Sequence, residues 1–289
     1  MNVERPRTAN QHPDHYWYPN GQSAFRGKLL ELFQRIDALF LSWAAECDAA
    51  DYVFPVFIPA AALAKLDYFR SFPHLVTLPV TLDAQEENLK RFIEGEPVDD
   101  TGALNLGRLA PVRDVLTPAA CYHFYPAFEG ETLDRPRYVT TRATCIRREA
   151  EYIPLERQWS FSMREIVCLG TAEEVKACLD RYRRRIGAFF EQIGLPIEWK
   201  EATDPFFNAP KNPKYLLQKL EPVKTEMVFQ DRLAIGSINF HRNYFGDAFK
   251  ITRGKKEAFS GCVAFGIERW IHAWLAQFGP KERHWPKLP

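Results

Sequence analysis

No run of about 18 apolar residues occurs anywhere in the chain, which excludes a membrane-spanning helix on sequence grounds. The first 21 residues, MNVERPRTANQHPDHYWYPNG, have no apolar core and do not read as a signal peptide. Net charge is scarce too: 38 lysines and arginines against 37 acidic residues leave +1. A protein that grips a long nucleic acid through many phosphates carries a stronger basic excess, so the easiest case for RNA binding is absent. The six cysteines (Cys47, Cys121, Cys145, Cys168, Cys178, Cys262) show no CxxC spacing. Together these features predict a cytoplasmic protein with reduced, mostly buried thiols. Nor is there an internal repeat or a long linker. With 46% hydrophobic and 26% charged residues, the 289-residue chain is expected to fold as one globular domain over residues 1–289.

Residues 1–21 are polar, aromatic and proline-bearing, and predict an arm lying on the surface or on a partner subunit. Over 24–47, Leu29, Leu30, Phe33, Ile36, Leu39 and Phe40 fall at helical spacing. DYVFPVFIP at 51–59 is β-rich, with Pro55 marking an edge or bulge. A short helix is expected at AAALAKLDYF and a strand at 74–82. The composition of 83–110 shifts to charge and turn residues, as in an insertion carrying one helix. β signals then dominate over 114–128, 137–149 and 158–170. Thr171, Glu174 and Gly194 predict a capped helix over 171–194. Strands at 224–230 and 233–241 precede a last helix at 263–278. The pattern is α+β: a mostly antiparallel sheet flanked by helices.

Two stretches carry charges in apolar surroundings. CIRREAEYIPLERQWSFSMRE at 145–165 sets Arg147 and Glu149 on one strand face, and CVAFGIERW at 262–270 starts an apolar helix at Glu268-Arg269. By themselves the strand charges fit a surface salt-bridge strand, and Arg269 an ordinary helix start. Taken together, two arginines from distant elements fit recognition of one polyphosphate, where each supplies a bidentate fork.

These residues resemble the motifs of class II aminoacyl-tRNA synthetases. IRRE at 146–149 with RQWSFSMRE at 157–165 is similar to their motif 2, and GCVAFGIER at 261–269 to motif 3. The predicted helix at 24–47 with DYVFPVFIP resembles motif 1, Pro59 standing for its proline. A class II synthetase-like fold is implied, and a homodimer, since motif 1 forms the subunit interface in that class. LTPAACYHFYPAF at 116–128 is similar to the segment where seryl-type enzymes recognise the amino group, with Cys121 where a glutamate would stand. That cysteine, with Glu165 and Cys262, matches the zinc pattern of atypical seryl-tRNA synthetases and of their truncated relatives, the amino acid:carrier-protein ligases. Spacing alone leaves both cysteines as buried thiols; only the resemblance makes the three converge. Two thiolates and one carboxylate leave a fourth zinc position open, which suits a substrate amine.

The resemblance further implies ATP as co-substrate, with Mg²⁺. Arg147 would meet the α-phosphate and the substrate carboxylate, Arg269 the γ-phosphate and the adenine face, and Glu149 the adenine amino group. Glu156 and Arg157 belong to a loop, 150–157, that would close over the nucleotide. Ala234, Ile235, Gly236 and Ser237 match the strand lining the ATP site, although Ala234 stands where a magnesium-binding glutamate is often found. Gln218, Lys219 and Glu226 are substrate-pocket candidates or members of an exposed helix face. His123, His241 and His272 receive no role. Arg181, Arg183, Arg184 and Arg185 make a local charge that fits a solvated face or an acidic partner.

The expected function is activation of a small amino acid (glycine, alanine or serine) as aminoacyl-adenylate. Transfer to the phosphopantetheine thiol of a carrier protein would follow. About 110 residues precede the Cys121 segment, leaving no room for the tRNA-binding domain of a full synthetase, so no tRNA and no membrane partner are expected. The alternatives are a minimal seryl- or alanyl-type tRNA synthetase, and a synthetase-like binding or regulatory protein without catalysis.

Overall fold

The computed structural model describes residues 12–288. Seven strands form its central sheet: β1 (Ala50–Tyr52), β2 (Arg137–Ile146), β3 (Ser160–Gly170), β4 (Ile197–Glu201), β5 (Lys224–Phe229), β6 (Leu233–Arg242) and β7 (Phe259–Gly266). The spatial order is β1-β2-β3-β7-β6-β5-β4, antiparallel throughout except for the parallel pair β1–β2. Four helices concern the argument below: α1 (Gly27–Ala45), α2 (Ala172–Ile193), α3 (Pro213–Leu220) and α4 (Ile267–Phe278). None of the described helices is long and apolar enough to cross a membrane.

Side-chain alternation divides the sheet into two faces. Ile166 and Cys168 of β3, Val263 and Phe265 of β7, and Met227 of β5 pack against α1, α2 and α4. This layer is strongly aromatic: Phe40 stacks on Phe265 at 4.1 Å, with Trp43 and Trp270 buried beside them. Close approach of α2 depends on Gly261, where a Cβ would lie 2.8–2.9 Å from Leu179, Val175 and the Asn239 carbonyl. The opposite face carries Val167, Leu169 and Cys262 under a smaller cluster that includes Cys121, Phe124 and Tyr125.

Arg164 faces the helix layer, and its charge is matched there. Its guanidinium meets Asp37 of α1 at 2.5 Å and Asp51 of β1 at 3.0 Å, while Arg142 reaches Asp37 at 3.0 Å. The network ties the segment carrying α1 and β1 to the central strand.

The capped helix forms as expected: Thr171 and Glu174 make a reciprocal capping box, and Gly194 ends α2 at φ 68°. In α1 the buried face is Leu29, Leu32, Ile36, Leu39 and Phe40, while Leu30 is 40% exposed. Several boundaries differ from expectation. The segment 74–82 is not a strand; Pro73–Leu75 is a 3₁₀ turn and only Leu82 forms a bridge, to Leu109. Over 114–128 a strand exists only at Asp114–Leu116, because the chain then turns through 3₁₀ and α turns that carry Cys121 under the sheet. The short helix is broken at Asp67, which adopts a left-handed φ of 50°. The final helix begins at Ile267, since 259–266 are a central strand.

Part of the expected arm, residues 1–11, lies outside the described residues. The remainder forms a hairpin, His15–Tyr18 with Gln22–Phe25, whose Gly21 carbonyl accepts from the Trp159 N–H at 2.8 Å. Residues 83–110 add no strand to the central sheet, and their helix, Glu86–Glu94, buries no residue. The arginine run on α2 is engaged within the chain: Arg183 lies over Trp199, and Arg185 over Trp43 while pairing with Glu46.

Replacing Arg164 by leucine leaves Asp37 buried with only the partly exposed Arg142 as counter-charge. The single variant is expected to lose about 3–5 kcal/mol in chemical denaturation. An Asp37→Leu/Arg164→Leu double variant should lose less than the single one. A double variant no more stable than Arg164→Leu would show that packing, not charge, governs the site.

Candidate active site

A cavity of about 720 Å³ opens on the face of the sheet away from α2. Alternate residues of β3, β7 and β6 form its floor, among them Glu165, Cys262, Ser237 and Asn239. The turn at Ala120–His123 brings Cys121 over that floor. The ligand atoms of Cys121, Glu165 and Cys262 all lie within 4.8 Å of one another, and all three residues are buried. Sequence positions 44 and 97 apart thus meet because β3 and β7 are hydrogen-bonded neighbours, with Ala264 opposite Glu165 and Cys262 opposite Val167.

The chemistry of this donor set fits a divalent cation. The Cys121 backbone N–H donates to Glu165 at 3.2 Å, and no ion pair reaches that carboxylate among the described residues. A carboxylate buried without a counter-charge is costly. Without metal the thiols retain their protons: the Cys121 thiol is pushed well above its ordinary range by its hydrogen bond to Cys262, by burial and by Glu165. A bound cation reverses that preference, since thiolates are its ligands. Tetrahedral zinc takes sulfur at about 2.3 Å and carboxylate oxygen at about 2.0–2.2 Å, which sets ligand atoms roughly 3.5 Å apart, within the observed spread.

Toward the other end of the cavity lie two arginines. β2 stops at Ile146, although the Arg147 N–H still donates to the Trp159 carbonyl at 2.9 Å. Arg147 and Glu149 both line the cavity, whereas Arg148 between them is exposed. The Arg147 guanidinium donates through Nε to Pro118 O at 2.6 Å and lies 5.2 Å over the Phe161 ring. Its remaining N–H groups have no hydrogen-bond partner among the described residues, so they can serve a ligand. Arg269 is fixed by two carbonyls, Glu156 O at 2.7 Å and Ala234 O at 2.9 Å. The Ala234 contact depends on a bulge: Met227 pairs with Gly236 and Val228 with Ala234, leaving Ile235 as the extra residue. Burial, and then the nearby Arg147 and Arg157, depress the pKa of Arg269. Two cations that repel each other across a cavity are suited to an anion of several charges.

Other expected site residues fall into distinct places. Ala234, Ile235, Gly236, Ser237, Gln218 and Glu226 line the cavity. Gln218 is engaged with Asp204 in both directions at 2.9 Å. Glu156 lines the cavity, but its carboxylate turns to Arg232 and to His272 at 3.5 Å. Arg157 does not line the cavity; its guanidinium is drawn to Glu149 at 2.8 Å. Lys219 is exposed and lies off the cavity, because α3 turns Gln218 inward instead. Among the lining residues that the sequence reading did not select are Lys224, which bridges Asp204 and Glu226 at 3.2 Å each, and Asn239; His241, given no role there, also lines the cavity. The spacing Ser237, Asn239, His241 on a strand beside motif 3 was the available signal.

Glu268 accepts the Ser162 N–H on both oxygens at 2.9 Å and so pins α4 to β3. Burial nevertheless raises its pKa to about 7. A folded value above the unfolded one means that the fold favours the proton, so stability falls as pH rises from about 4.5 to 7. Glu268→Gln should remove that slope, which for one group amounts to about 1.4 kcal/mol per pH unit inside the window. Urea denaturation at pH 5 and pH 7 checks it; equal slopes in both proteins would contradict the assignment.

The motif order and this geometry agree with what the chain is similar to. Residues 112–278 match the model of the tRNA synthetase class II core domain (G, H, P, S and T). Amino acid–(acyl-carrier-protein) ligase 1 of Bradyrhizobium diazoefficiens is 33% identical, over 88% of this chain and 79% of the relative. A type-2 serine–tRNA ligase of Methanococcus maripaludis is 25% identical over 93% of this chain, which spans 55% of that protein. Among solved structures, M. kandleri SerRS, crystallised with A. aeolicus tRNASec, superposes with a TM-score of 0.77 at 21% identity; the match covers 96% of this chain and 58% of that one. This likeness fixes the fold as that of the class II synthetases. The identity to the first relative extends over most of both proteins, and the chain therefore belongs to the family of amino acid–(acyl-carrier-protein) ligases.

Proposed function

We propose that this chain activates glycine, alanine or serine as the aminoacyl-adenylate and passes the aminoacyl group to the phosphopantetheine thiol of a carrier protein. One observation carries the reading: Cys121, Glu165 and Cys262 share a single cavity with Arg147 and Arg269. An amino acid held by its amine at the first group of residues presents its carboxylate towards the second. Zinc bound by the two thiolates and the carboxylate would supply an open Lewis-acid position for a neutral α-amine.

In the first step the substrate carboxylate attacks the α-phosphorus of ATP, and the bond from that phosphorus to the pyrophosphate oxygen breaks. Arg147, held by Pro118 and with N–H donors unpaired among the described residues, would bind the α-phosphate and the carboxylate together. Arg269 is held rigidly for the γ-phosphate and the adenine face, and Glu149 for the adenine amino group. Mg²⁺ accompanies the nucleotide, although Ala234 offers it no carboxylate. In the second step the carrier thiol attacks the acyl carbon, the bond to the AMP oxygen breaks, and the thiol proton passes to solvent. No protein nucleophile is required, so acceleration rests on positioning and charge stabilisation.

The homodimer expected from motif 1 has support in exposed apolar surface. Val53 is 93% exposed and Phe57 48%, with Leu78 and Val80 close to half exposed in the following segment. Sedimentation at micromolar concentration should give twice the 33.5 kDa of one chain. A single-chain mass would remove the dimer from the proposal.

Amino-acid-dependent ATP–pyrophosphate exchange tests the chemistry. Exchange with one or more of the three amino acids, abolished by a zinc chelator and restored by zinc, is the expected result. Arg147→Ala should lower the rate by about 10²–10³. No exchange with any amino acid would favour a binding protein, and charging of tRNA without transfer to holo carrier protein would replace the acceptor.

A further inference from the structure

His241 has no place in the chemistry above, yet its ring is held against one of the proposed metal ligands. Its Nε2 lies 3.5 Å from Cys262 Sγ. Its Nδ1 is flanked by the Tyr125 hydroxyl at 3.2 Å and the Ser260 hydroxyl at 3.1 Å. A neutral imidazole carries one N–H. Either hydroxyl can donate into the Nδ1 lone pair, and that arrangement leaves the proton on Nε2. The alternative tautomer would point a lone pair at a sulfur that, once metal-bound, has no proton to offer. Nε2–H facing the thiolate turns that repulsion into a hydrogen bond.

The backbone is shaped to the same end. Phe240 pairs with Gly261 and Arg242 with Ser260, so His241 is the extra residue of a bulge. Arg242 takes a left-handed φ of 57° there, a conformation uncommon for a residue with a Cβ. Phe245 lies edge-on to the imidazole at 4.9 Å and stacks on Tyr125 at 3.7 Å, which fixes the ring from a second side. Asn239, directly across the ladder from Cys262, adds a second N–H at 3.3 Å from the same sulfur. His241 does not join the cluster of donor atoms that all lie within 4.8 Å of one another. It therefore reaches one ligand and not the common centre, which is an outer-shell position.

We propose that His241 is a positioning residue: it donates Nε2–H to Cys262 and, with Asn239, holds that sulfur as a thiolate aimed at the metal. This rests on the zinc reading. Two N–H donors fix the direction of that sulfur, so it is preset for the ion; loss of such a partner typically costs about 10–100-fold in metal affinity.

The test measures zinc affinity of the purified full chain by chelator competition, and the thiolate-to-cobalt charge-transfer absorption of the Co²⁺-substituted protein. His241→Phe should bind zinc about 10–100-fold more weakly and shift the charge-transfer band. His241→Gln, which restores an N–H, should recover part of both. Wild-type affinity and an unchanged band in His241→Phe would overturn the inference while leaving the metal site intact. A wild-type protein that binds neither zinc nor cobalt through thiolate would overturn the metal reading, and this inference with it. Should His241→Phe fail to fold, a Tyr125→Phe/Ser260→Ala variant keeps the ring but frees its tautomer. Several-fold weaker zinc binding is expected there, and unchanged affinity would count against the proposal equally.

Discussion

A carboxylate buried beside two thiols at the centre of a sheet meets no ion pair among the described residues, and that unmet charge organises the site. β3 places charged residues at adjacent positions on its two faces. Arg164 points into the helix layer and is neutralised by Asp37 and Asp51. Glu165 points into the cavity, where no lysine or arginine among the described residues pairs with it. The fold completes one charge internally and leaves its neighbour for a ligand. Such an asymmetry is expensive for a structural protein and useful for a catalyst, because an unmet demand inside a cavity binds a cation and then a substrate.

The arginine-lined end of the cavity follows the same pattern with opposite sign. Arg147 and Arg269 reach one cavity from a strand end and a helix start, and each is steadied by carbonyl oxygens rather than by carboxylates. Carbonyls orient a guanidinium without neutralising it. Glu268 does the complementary work: it anchors α4 to the Ser162 N–H and leaves the adjacent Arg269 in place for a polyanion. The cavity thus joins an arginine-lined end to an acidic, thiol-rich end. On the function proposed above, an amino acid would span both, its amine at the acidic end and its carboxylate towards the arginines.

The fold class was legible because long elements state themselves locally. The capping box of α2 and the apolar stripe of α1 need no tertiary information. Short segments misled, since 74–82 and 117–128 carry strand-like residues whose backbone groups are satisfied outside the sheet. For the site, residue chemistry was legible only through motif order. Cys121 and Cys262 are 141 positions apart and resemble ordinary buried thiols until β7 is set beside β3. Asn239 went unselected and His241 was given no role for a deeper reason. Their role depends on a bulge that re-aims one side chain, and nothing in the composition of β6 predicts it.

The acceptor of the aminoacyl group is decided away from this core. Forming an adenylate uses groups inside the cavity, and a type-2 serine–tRNA ligase can share the fold while carrying nearly twice the chain. Discrimination between a tRNA and a carrier protein must therefore lie at the cavity rim or beyond it. The arginine run on α2 does not qualify: α2 packs on the opposite face of the sheet, and its arginines cover Trp199 and Trp43. An acidic partner docked there would have to displace those contacts and would still face the wrong side of the molecule. The helix α3 differs, since Leu217 and Gln218 reach the cavity from it while Leu216 and Leu220 lie off the cavity and remain exposed. A short helix that touches the substrate cavity from one side and presents apolar residues on another can couple acceptor arrival to the chemistry, which a remote charged face cannot.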